Sequence, residues 1–449
     1  MPVVVTGLGF GDEGKGSIVD FLARRCDSLS LVVRYSGGAQ AAHTVVCPDG
    51  REHTFSQFGS GTFFPGSETF LSRHMLVNPV ALLSEERHLQ SVGVTDAFDR
   101  LYIDARALVT NPFQVSANRL RELARDKKRH GSCGMGIGET KQDHSDHPET
   151  TIIVDTLKDP GLVRAKLELS RQLKLDEFEK VVWDLPRTEA VAREWHLLRD
   201  KGSVDACVKR FQEVYSRAQI VGDTFLPEHL HRKDHFIIFE GSQGVLLDHA
   251  YGLFPHVTRG DTTLKNALDL LNGTEPFTIG VLRAYSTRHG AGPFPTEDTT
   301  WNLPEPHNGT NAWQQGFRAG PLDILLARYA IQAIGGVDAI ALNHLDHLGP
   351  SGAPYRLCRE YDSPVLHTRF SPTHGPITQL LPRFSYDLEA RKRFTSAVEQ
   401  VRPLYTSFSN EDSFKAQIRE DLGHSAILEG RGPTANDKKF KINRLKNHA

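Results

Sequence analysis

The stretch VVVTGLGFGDEGKGS, residues 3–17, decides how the chain folds around its first functional loop. The β-branched run at residues 3–5 predicts a strand, and apolar residues at helical spacing over residues 15–26 predict a helix. The glycines therefore fall where a strand turns into a helix. Backbone N–H groups, the helix N-terminus and the ammonium of Lys15 all favour an anion there, so the stretch predicts a phosphate-binding loop.

Asp12 is unusual inside such a loop, because a carboxylate repels phosphates. A divalent cation or a proton to be abstracted removes this conflict, so Asp12 is predicted to be a metal ligand, a general base, or both. The loop is shorter than the common Gly-x-x-x-x-Gly-Lys-Ser/Thr loop, although Lys15-Gly16-Ser17 matches its end.

Short apolar runs alternate with helical patterns along the chain. The runs lie at residues 3–5, 31–35, 101–103, 236–239, 277–281, 339–342 and 426–428, and helical patterns lie at 79–92 and 322–330. The alternation predicts an α/β fold: a mostly parallel central sheet with helices on both faces and a P-loop-like phosphate site at the carboxyl ends of the strands. We expect one domain over residues 1–449, with a helical insertion or subdomain at residues 157–230, where no strong strand is visible.

Composition excludes several classes of partner. The 449 residues carry a formal net charge of −2, with 24% charged and 39% hydrophobic residues, which argues against nucleic acid and against a membrane surface. No apolar run approaches the roughly 18 residues of a membrane span, and no targeting segment is recognisable, so we expect a cytoplasmic protein. Five widely spaced cysteines predict reduced thiols rather than disulfides or a zinc knuckle.

A second constellation, GGAQAAHT at residues 37–44, follows the second predicted strand. It ends on His43-Thr44, and an imidazole beside phosphates can stabilise charge during phosphoryl transfer. The glycine-rich stretch at residues 131–138 is either a mobile active-site loop or an ordinary connection. The His-rich piece at residues 143–147 matches no standard zinc spacing and is predicted to be a solvated loop.

With the segments that follow, these motifs resemble the start of the adenylosuccinate synthetase family. FEGSQGVLLD at residues 239–248 is similar to the family's purine-contacting segment, and PHVT at residues 255–258 follows at the family's spacing. AYSTRHGAGPFPTE at residues 284–297 is a close match, and NHLD at residues 343–346 stands where the family has its guanine-reading Lys-Leu-Asp. The similarity runs in the family's order from residue 3 to about residue 435 and is weakest at residues 157–230.

The resemblance implies a GTP- and Mg²⁺-dependent carbon–nitrogen ligase of purine biosynthesis, acting on small molecules as a homodimer. In the family, a carboxylate removes the N1 proton of IMP, and the 6-oxygen then attacks the γ-phosphate of GTP. The amine of L-aspartate displaces the new phosphate, so that GDP and phosphate are released.

The resemblance also assigns roles to residues of this chain. The catalytic residues it implies are Asp12, Lys15, His43 and Gln243. The implied GTP contacts are Gly11, Glu13, Gly14, Lys15, Gly16, Ser17, His43, Thr44, Asn343, His344, Asp346 and Gly432. The acceptor nucleotide would contact Asp12, Gln40, Cys133, Gln243 and Thr258. The metal would be held by Asp12 and the carbonyl of Ala42, and the amine substrate by the loop that contains Thr310, Gln315 and Arg318. The Asp346 carboxylate can accept two hydrogen bonds from guanine that adenine cannot donate, which favours GTP over ATP.

Several substrate-facing positions depart from the family pattern. Gln40 is one methylene longer than the family's asparagine, and Cys133 replaces a hydroxyl that binds the 5′-phosphate. His147 stands where the neighbouring subunit usually offers an arginine, and a neutral imidazole cannot replace a guanidinium fork. The amine-substrate loop keeps Arg318 alone where the family has four arginines.

Two interpretations of these departures stay open. In the first, Arg318, Arg259 and Arg288 suffice for aspartate in a divergent but ordinary enzyme. In the second, the chain is a paralogue in specialised nucleotide metabolism whose amine donor or acceptor nucleotide has changed. A non-catalytic GTP-binding regulator and a kinase that stops at the phosphorylated acceptor are the remaining alternatives.

Overall fold

Strands and helices alternate along the chain, which is described here from a computed structural model. The structure describes residues 1–25, 29–125, 132–301, 303–308, 316–350, 352–363, 376–382, 387–424 and 427–440. The strands are β1 (Val3–Gly7), β2 (Leu29–Arg34), β3 (His43–Val46), β4 (Glu52–Phe55), β5 (Ser67–Leu71), β6 (Leu76–Val77), β7 (Leu101–Asp104), β8 (Leu108–Val109), β9 (Gln219–Val221), β10 (His235–Gly244), β11 (Phe277–Arg283), β12 (Tyr285–His289), β13 (Phe317–Asp323), β14 (Ala339–Asn343), β15 (Arg356–Asp362), β16 (Arg402–Ser407), β17 (Ile427–Gly430) and β18 (Lys438–Phe440). The helices are α1 (Lys15–Ala23), α2 (Pro79–Ser91), α3 (Pro112–Arg125), α4 (Ile137–Asp146), α5 (Pro160–Glu179), α6 (Glu189–Arg199), α7 (Gly202–Arg217), α8 (Phe225–Leu230), α9 (Lys265–Leu271), α10 (Ile324–Ala333), α11 (Leu388–Glu399) and α12 (Glu411–Leu422).

Within the described residues, ten strands form the central sheet, in the order β18-β17-β14-β11-β1-β10-β2-β5-β7-β9. Neighbouring strands are parallel except at the edge, where β18 runs antiparallel to β17. The predicted mostly parallel α/β sheet is confirmed, and every predicted apolar run overlaps one of its strands. The sequence patterns missed β5, β9 and β18, because β5 begins with the polar pair Ser67-Glu68 and the other two strands have three residues each.

Both faces of this sheet are covered by helices, as predicted. Val3 and Val5 point to the face where Ile18 and Val19 of α1 pack, whereas Val4 points to the face covered by α8 and α9. This alternation follows from the twofold period of a strand, and it explains why β1 is apolar on both sides. No helix of the described chain is long and apolar enough to cross a membrane.

A second sheet, in the order β12-β13-β15-β16, carries part of the candidate site. Its strands β12 and β13 are antiparallel, and their register places Arg288 opposite Arg318. Helices α10, α11 and α12 share one apolar cluster with this sheet, which includes Tyr285, Leu322 and Leu357. The two arginines are therefore fixed on a packed sheet rather than on a free loop.

The region at residues 157–230 contains the helices α5, α6, α7 and α8, and it also contains a strand that the sequence did not indicate. Strand β9 pairs in parallel with β7 and forms one edge of the central sheet. Leu167 and Phe211 belong to the same buried cluster as Leu101 and Ile103 of β7. The helices thus pack on the sheet through a shared core, and the single-domain organisation stays a prediction.

A substitution in this shared core tests that prediction. Phe211 is fully buried, and we expect Phe211→Ala to reduce the free energy of unfolding by about 3–5 kcal/mol, through lost apolar burial and a cavity. Urea unfolding followed by near-UV circular dichroism should show one cooperative transition at a lower midpoint. The matched control Leu169→Ala removes a leucine that is 49% exposed and should leave the midpoint nearly unchanged. Two transitions, with only one of them shifted, would contradict a single domain.

Candidate active site

Five adjacent strands of the central sheet, β14, β11, β1, β10 and β2, end at one edge of the sheet. Residues 9–17 follow β1, residues 36–43 follow β2, residues 240–244 end β10, Arg283 ends β11, and Asn343 ends β14. Because the carboxyl ends of parallel strands meet at the same edge, motifs far apart in the sequence come together here. This edge is the candidate active site.

The phosphate loop is folded around the side chain of Glu13. Its carboxylate accepts the N–H groups of Gly9 and Gly11, both at 2.9 Å, and it pairs with Lys15 Nζ at 2.7 Å. Burial alone would raise the pKa of Glu13, but the Lys15 ammonium and the hydrogen bonds lower it below its usual value. Glu13 therefore stays ionised and holds the loop from inside, a role that its carboxylate alone did not reveal.

Residues in left-handed backbone conformations shape the rest of this loop. Gly11 and Gly14 have φ values of 89° and 87°, and Asp12, which is not a glycine, has φ 60°. Gly14 is the N-cap of α1, and Ser17 Oγ donates to its carbonyl at 2.9 Å. Such a backbone, with a helix starting at Lys15, is suited to binding phosphate, as predicted from the glycine spacing.

Asn343 supports this loop from the neighbouring part of the sheet. Its Nδ2 donates to the carbonyl of Glu13 at 2.8 Å, and a Cβ on Gly14 would lie 2.7 Å from the same nitrogen. Asn343 Oδ1 is buried and has no hydrogen-bond partner within the described chain. Asn343 therefore contacts the backbone of the loop, and its predicted contact with GTP stays a prediction.

Arg283 is a site residue that the sequence reasoning missed. Its Nε donates to the carbonyl of Asp12 at 2.5 Å, and its Nη1 contacts the hydroxyl of Tyr285 at 2.9 Å and the carboxylate of Glu305. An arginine at the end of the otherwise apolar strand β11 was the available signal, since a buried cation requires partners. Arg283 therefore fixes the backbone carbonyl of Asp12.

Asp12 is the acidic residue of the loop that retains solvent access. Oδ2 lies 3.9 Å from His289 Nδ1, and no hydrogen bond among the described residues occupies the carboxylate. Burial raises the pKa of Asp12 above its ordinary value, and Arg283 opposes that rise. The carboxylate is thus available to a ligand and is more basic than an exposed aspartate.

His43 lies directly against the phosphate loop, because a Cβ on Gly16 would be 2.8 Å from the Cβ of His43. Its Nδ1 is 2.5 Å from Glu240 Oε1, and its Nε2 is 3.2 Å from the carbonyl of Ser242. Burial lowers the pKa of His43, while Glu240 acts in the opposite direction. The two opening motifs therefore lie against each other at the edge of the sheet, and the role of His43 in phosphoryl transfer stays a prediction.

Glu240 is the second residue that sequence reasoning missed. Burial would raise the pKa of Glu240, but Arg34 and His43 lower it to about 2, so the carboxylate is ionised. It also accepts the N–H of Ser60 at 3.0 Å and contacts the Ser60 hydroxyl. The signal was an acid in the apolar run FIIFE at residues 236–240, which is unusual for a buried strand without an ionic partner.

The loop after β2 packs against Ser242 of β10 and against Ile137, which begins α4. A Cβ on Gly37 would lie 2.6 Å from Ser242 Oγ and 2.9 Å from Gln40 Nε2, and one on Gly38 would lie 2.7 Å from Ile137 Cδ1. Both polar atoms of the Gln40 amide are buried and lack hydrogen-bond partners in the part of the chain that is described. A buried, unpaired amide of this kind is suited to a ligand.

The opposite side of this region is formed by the segment around Thr258. A Cβ on Gly260 would lie 3.8 Å from Thr258 Oγ1 and 3.9 Å from Lys141 Nζ, and Arg259 packs on Gly138 and contacts Gln142. Gln243, near the end of β10, is partly buried. The structure therefore places Thr258 beside helix α4, near the loop that carries Cys133.

Cys133 lies in the glycine-rich loop that precedes α4. Asn118 Oδ1 accepts from the Ser132 hydroxyl at 3.0 Å and from the Gly136 N–H at 3.2 Å, which fixes the loop at both ends. Burial raises the pKa of the Cys133 thiol to about 11, so the group is neutral at ordinary pH. A neutral thiol is a weaker phosphate ligand than a hydroxyl, in line with the sequence prediction.

The prediction of a solvated loop at residues 143–147 is wrong, because α4 extends to Asp146. Lys174 of α5 is buried and pairs with Glu139 at 3.1 Å and with Asp143 at 2.5 Å. These contacts hold one face of α4 against α5, a partnership that the local sequence could not reveal. His147 lies just beyond the helix, with Nδ1 3.5 Å from Glu149.

The arginines considered for aspartate are occupied by other groups. Arg318 pairs with Glu297 at 3.0 Å and donates to the carbonyls of Gly290 and Gly292 at 2.6 and 2.9 Å. Arg288 donates to the carbonyl of Pro293 at 2.7 Å, and burial lowers its pKa to about 9. Both guanidinium groups hold the turn at residues 290–293, and the role of Arg318 in amine binding stays a prediction. Thr310 and Gln315 lie outside the described residues.

The predicted base-reading segment follows β14. His344 has φ 60°, burial holds its pKa well below the ordinary value, and Asp346 is exposed. Lys438 of β18, which sequence reasoning missed, donates to the carbonyl of Gly432 at 2.5 Å, and burial lowers its pKa to about 8 despite the nearby Asp346. The hydroxyl of Thr44, another residue predicted to contact GTP, is 2.9 Å from the hydroxyl of Thr54, so it forms a hydrogen bond within the β3–β4 hairpin.

Comparisons with known proteins agree with this arrangement. The adenylosuccinate synthetase family model matches residues 4–434. The adenylosuccinate synthetase of Chlorobium chlorochromatii is 32% identical over 86% of this chain and 86% of its own, and that of Mycobacterium leprae is 30% identical over 89% and 91%.

Two solved structures share the fold. One is the fully ligated adenylosuccinate synthetase from Plasmodium falciparum, with a TM-score of 0.75 and 22% identity over 98% of this chain and 100% of that one. The other is the cyanophage S-2L succinoaminodeoxyadenylate synthetase bound to dGMP and to dATP as an energy donor, with a TM-score of 0.58 and 16% identity over 99% and 97%.

Removal of the charge on Glu13 tests how the loop is held. Glu13→Gln should turn an amide N–H₂ towards the Lys15 ammonium, and we expect GTP affinity to fall about 10- to 100-fold through loss of a charge-assisted pair. Isothermal titration with GTP and Mg²⁺ measures this loss. The control Glu179→Gln changes an exposed glutamate and should bind GTP normally. Unchanged GTP affinity in Glu13→Gln would contradict the role of Glu13.

Proposed function

Since the chain belongs to the adenylosuccinate synthetase family, we propose that the site at the ends of β14, β11, β1, β10 and β2 performs the family's ligation. The chain is a GTP- and Mg²⁺-dependent carbon–nitrogen ligase that joins IMP and aspartate and forms GDP. The observation that carries the assignment of the site is the packing of His43 on Gly16, which joins the two motifs into one phosphate site.

Asp12 is the base that starts the reaction. It removes the proton from N1 of IMP, so that the 6-oxygen becomes nucleophilic and attacks the γ-phosphate of GTP. Its raised pKa supports this role, because a more basic carboxylate removes a proton more readily. Arg283 positions it, since the guanidinium holds the Asp12 carbonyl at 2.5 Å while leaving the carboxylate without a hydrogen bond from that group.

The residues present fit a magnesium ion. Mg²⁺ prefers oxygen ligands, and the Asp12 carboxylate offers two oxygens that no hydrogen bond from the described residues uses. Ala42 is exposed directly before the buried His43, so its carbonyl oxygen is the second donor to be considered. When bound by these two groups, the metal neutralises charge on the phosphates of GTP.

His43 is proposed to donate from Nε2 to the phosphate that is being transferred. Its Nδ1 faces the ionised Glu240 and therefore carries a hydrogen. A neutral ring with its hydrogen on Nδ1 has none on Nε2, so donation to the phosphate requires the protonated ring. An anion bound beside Lys15 and His43 would favour the protonated ring and oppose the effect of burial. Glu240 is the positioning residue that holds Nδ1, and Nε2, which faces the Ser242 carbonyl at 3.2 Å, would exchange that carbonyl for a phosphate oxygen.

Gln40, Gln243 and Thr258 are proposed to contact IMP. The unpaired amide of Gln40 supports a contact with that residue, and the position of Thr258 beside α4 supports a contact with Thr258. Cys133 lies in the loop that begins α4 and is proposed to be a weak contact to the 5′-phosphate. A homodimer and a cytoplasmic location are proposed from the family alone.

Replacing the base separates chemistry from binding. Asp12→Asn keeps the size of the side chain and removes its basicity, so we expect turnover to fall about 10²- to 10⁴-fold. GTP affinity measured without Mg²⁺ should change by only a few fold, because Lys15 and the loop backbone remain, and loss of the metal ligand should weaken only the Mg²⁺-dependent part of binding. For the native chain, kcat/KM should rise with pH through a pKa above the ordinary aspartate value, since only the ionised carboxylate is active. The control Asp49→Asn alters an exposed aspartate. Turnover above a tenth of normal in Asp12→Asn would remove Asp12 from this role.

A substrate-omission experiment distinguishes the ligase from the other classes of protein. With GTP, Mg²⁺, IMP and aspartate, we expect phosphate release together with a product of the mass of adenylosuccinate. Omission of aspartate should abolish that product. Phosphoryl transfer to IMP without an amine requirement would indicate a kinase, and GTP binding without phosphate release under any pairing would indicate a regulator.

A further inference from the structure

A cluster of two histidines and one glutamate lies at the edge of the central sheet opposite the active site. The ligand atoms of Glu68, His229 and His235 all lie within 4.8 Å of one another. Glu68 is near the start of β5, His235 begins β10, and His229 is in the last turn of α8. We propose that these three side chains form a zinc-binding site that clips α8 to the sheet.

The sheet register brings two of the ligands to the same face. His235 pairs with Leu29 of β2, and Glu68 pairs with Leu31 of the same strand. Paired residues of parallel strands share a face, and residues two apart on one strand do so as well, so both ligands point to the face covered by α8. Helix α8 then adds His229, whose ring centroid is 5.1 Å from that of His235.

Each side chain presents a ligand atom that nothing else in the described chain uses. Both ring nitrogens of His235 are buried without a hydrogen-bond partner among the described residues, and so is Oε2 of Glu68. His229 Nδ1 donates to the carbonyl of Phe225 at 2.7 Å, which leaves the lone pair of Nε2 free. Ligand atoms from three side chains therefore converge on one point, and a single cation can bind all three.

The surrounding contacts resemble the outer shell of known metal sites. A metal-bound histidine usually donates its other ring N–H to a carbonyl or carboxylate, as His229 does to Phe225. The hydroxyl of Tyr102 donates to the other oxygen of Glu68 at 3.2 Å, which orients Oε2 towards the histidines.

The ligand set favours a transition metal over Mg²⁺ and Ca²⁺. Two imidazoles and one carboxylate suit Zn²⁺, whereas Mg²⁺ and Ca²⁺ prefer oxygen ligands alone. Tetrahedral zinc with bonds of about 2.0–2.1 Å places its ligand atoms roughly 3.3 Å apart, so small side-chain rotations from the present spacing complete the site. The three residues are partly exposed, so water can supply a fourth ligand.

This site is separate from the catalytic one. His235 and Gln243 lie eight residues apart on β10, which corresponds to about 26 Å along a strand. The zinc ion would hold α8 against β5 and β10, so its effect should appear in stability rather than in turnover.

The test uses the full, tag-free chain after removal of metals with a chelator. Isothermal titration with ZnSO₄, in buffer with excess Mg²⁺, should show one tight site per chain, and Co²⁺ should give the visible absorption of a tetrahedral complex. His235→Asn and Glu68→Gln should weaken zinc binding at least tenfold and abolish the rise in the thermal midpoint that zinc produces in the native chain. His231→Asn, which changes an exposed histidine of the same segment, should behave as the native chain does.

Ligase turnover and near-UV circular dichroism of the metal-free variants show that they are folded. Unchanged zinc affinity in His235→Asn and Glu68→Gln would place the ion elsewhere and overturn the proposal. The absence of any zinc binding by the native chain at micromolar concentrations would overturn it as well.

Discussion

The ionised carboxylate of Glu13 is the constraint on which the active site depends. It accepts two N–H groups of its own loop and pairs with Lys15, so the loop closes around a buried negative charge. The space around it is available because the neighbours are glycines: a Cβ on Gly7 or Gly244 would collide with the Glu13 carboxylate. Because these two positions have no Cβ, strands β1 and β10 can lie close together beside the Glu13 carboxylate. The phosphate loop begins directly after β1.

Most charged groups of the site have a close partner of opposite charge among the described residues. Glu13 faces Lys15, Glu240 faces His43 and Arg34, and Arg283 contacts Glu305. Within the described residues Asp12 lacks a comparable partner, because Arg283 binds its backbone carbonyl and His289 is 3.9 Å from its carboxylate. A carboxylate without a close ion pair among the described residues is suited to the base and metal-ligand roles proposed for Asp12, because a permanent ion pair would oppose both.

The arrangement of the arginines differs from the simplest expectation for a site that binds the dicarboxylate aspartate, which is direct contact between guanidinium and carboxylate groups. Arg288 and Arg318 lie opposite each other on β12 and β13, but their guanidinium groups hold the backbone of residues 290–293. If these two arginines contribute to aspartate binding, the described contacts allow them to do so through the shape of this turn. Those contacts do not support the interpretation in which these two arginines bind aspartate directly.

The sequence by itself determined the local elements and the residue types of the phosphate site. The strand, glycine loop and helix over residues 3–23, the position of His43 after the second strand and the parallel α/β class could be predicted, because each depends on periodicity or spacing within a short segment. Only the tertiary structure decided which distant groups meet. Glu240 reaches His43 across 197 residues, and the contact from Asn343 to the Glu13 carbonyl spans 330. Such contacts depend on strand order and register, which no local pattern encodes. The same reason applies to helix α4, whose partner Lys174 lies on another helix, and to the triad of Glu68, His229 and His235, which the register of three strands and the position of α8 bring together.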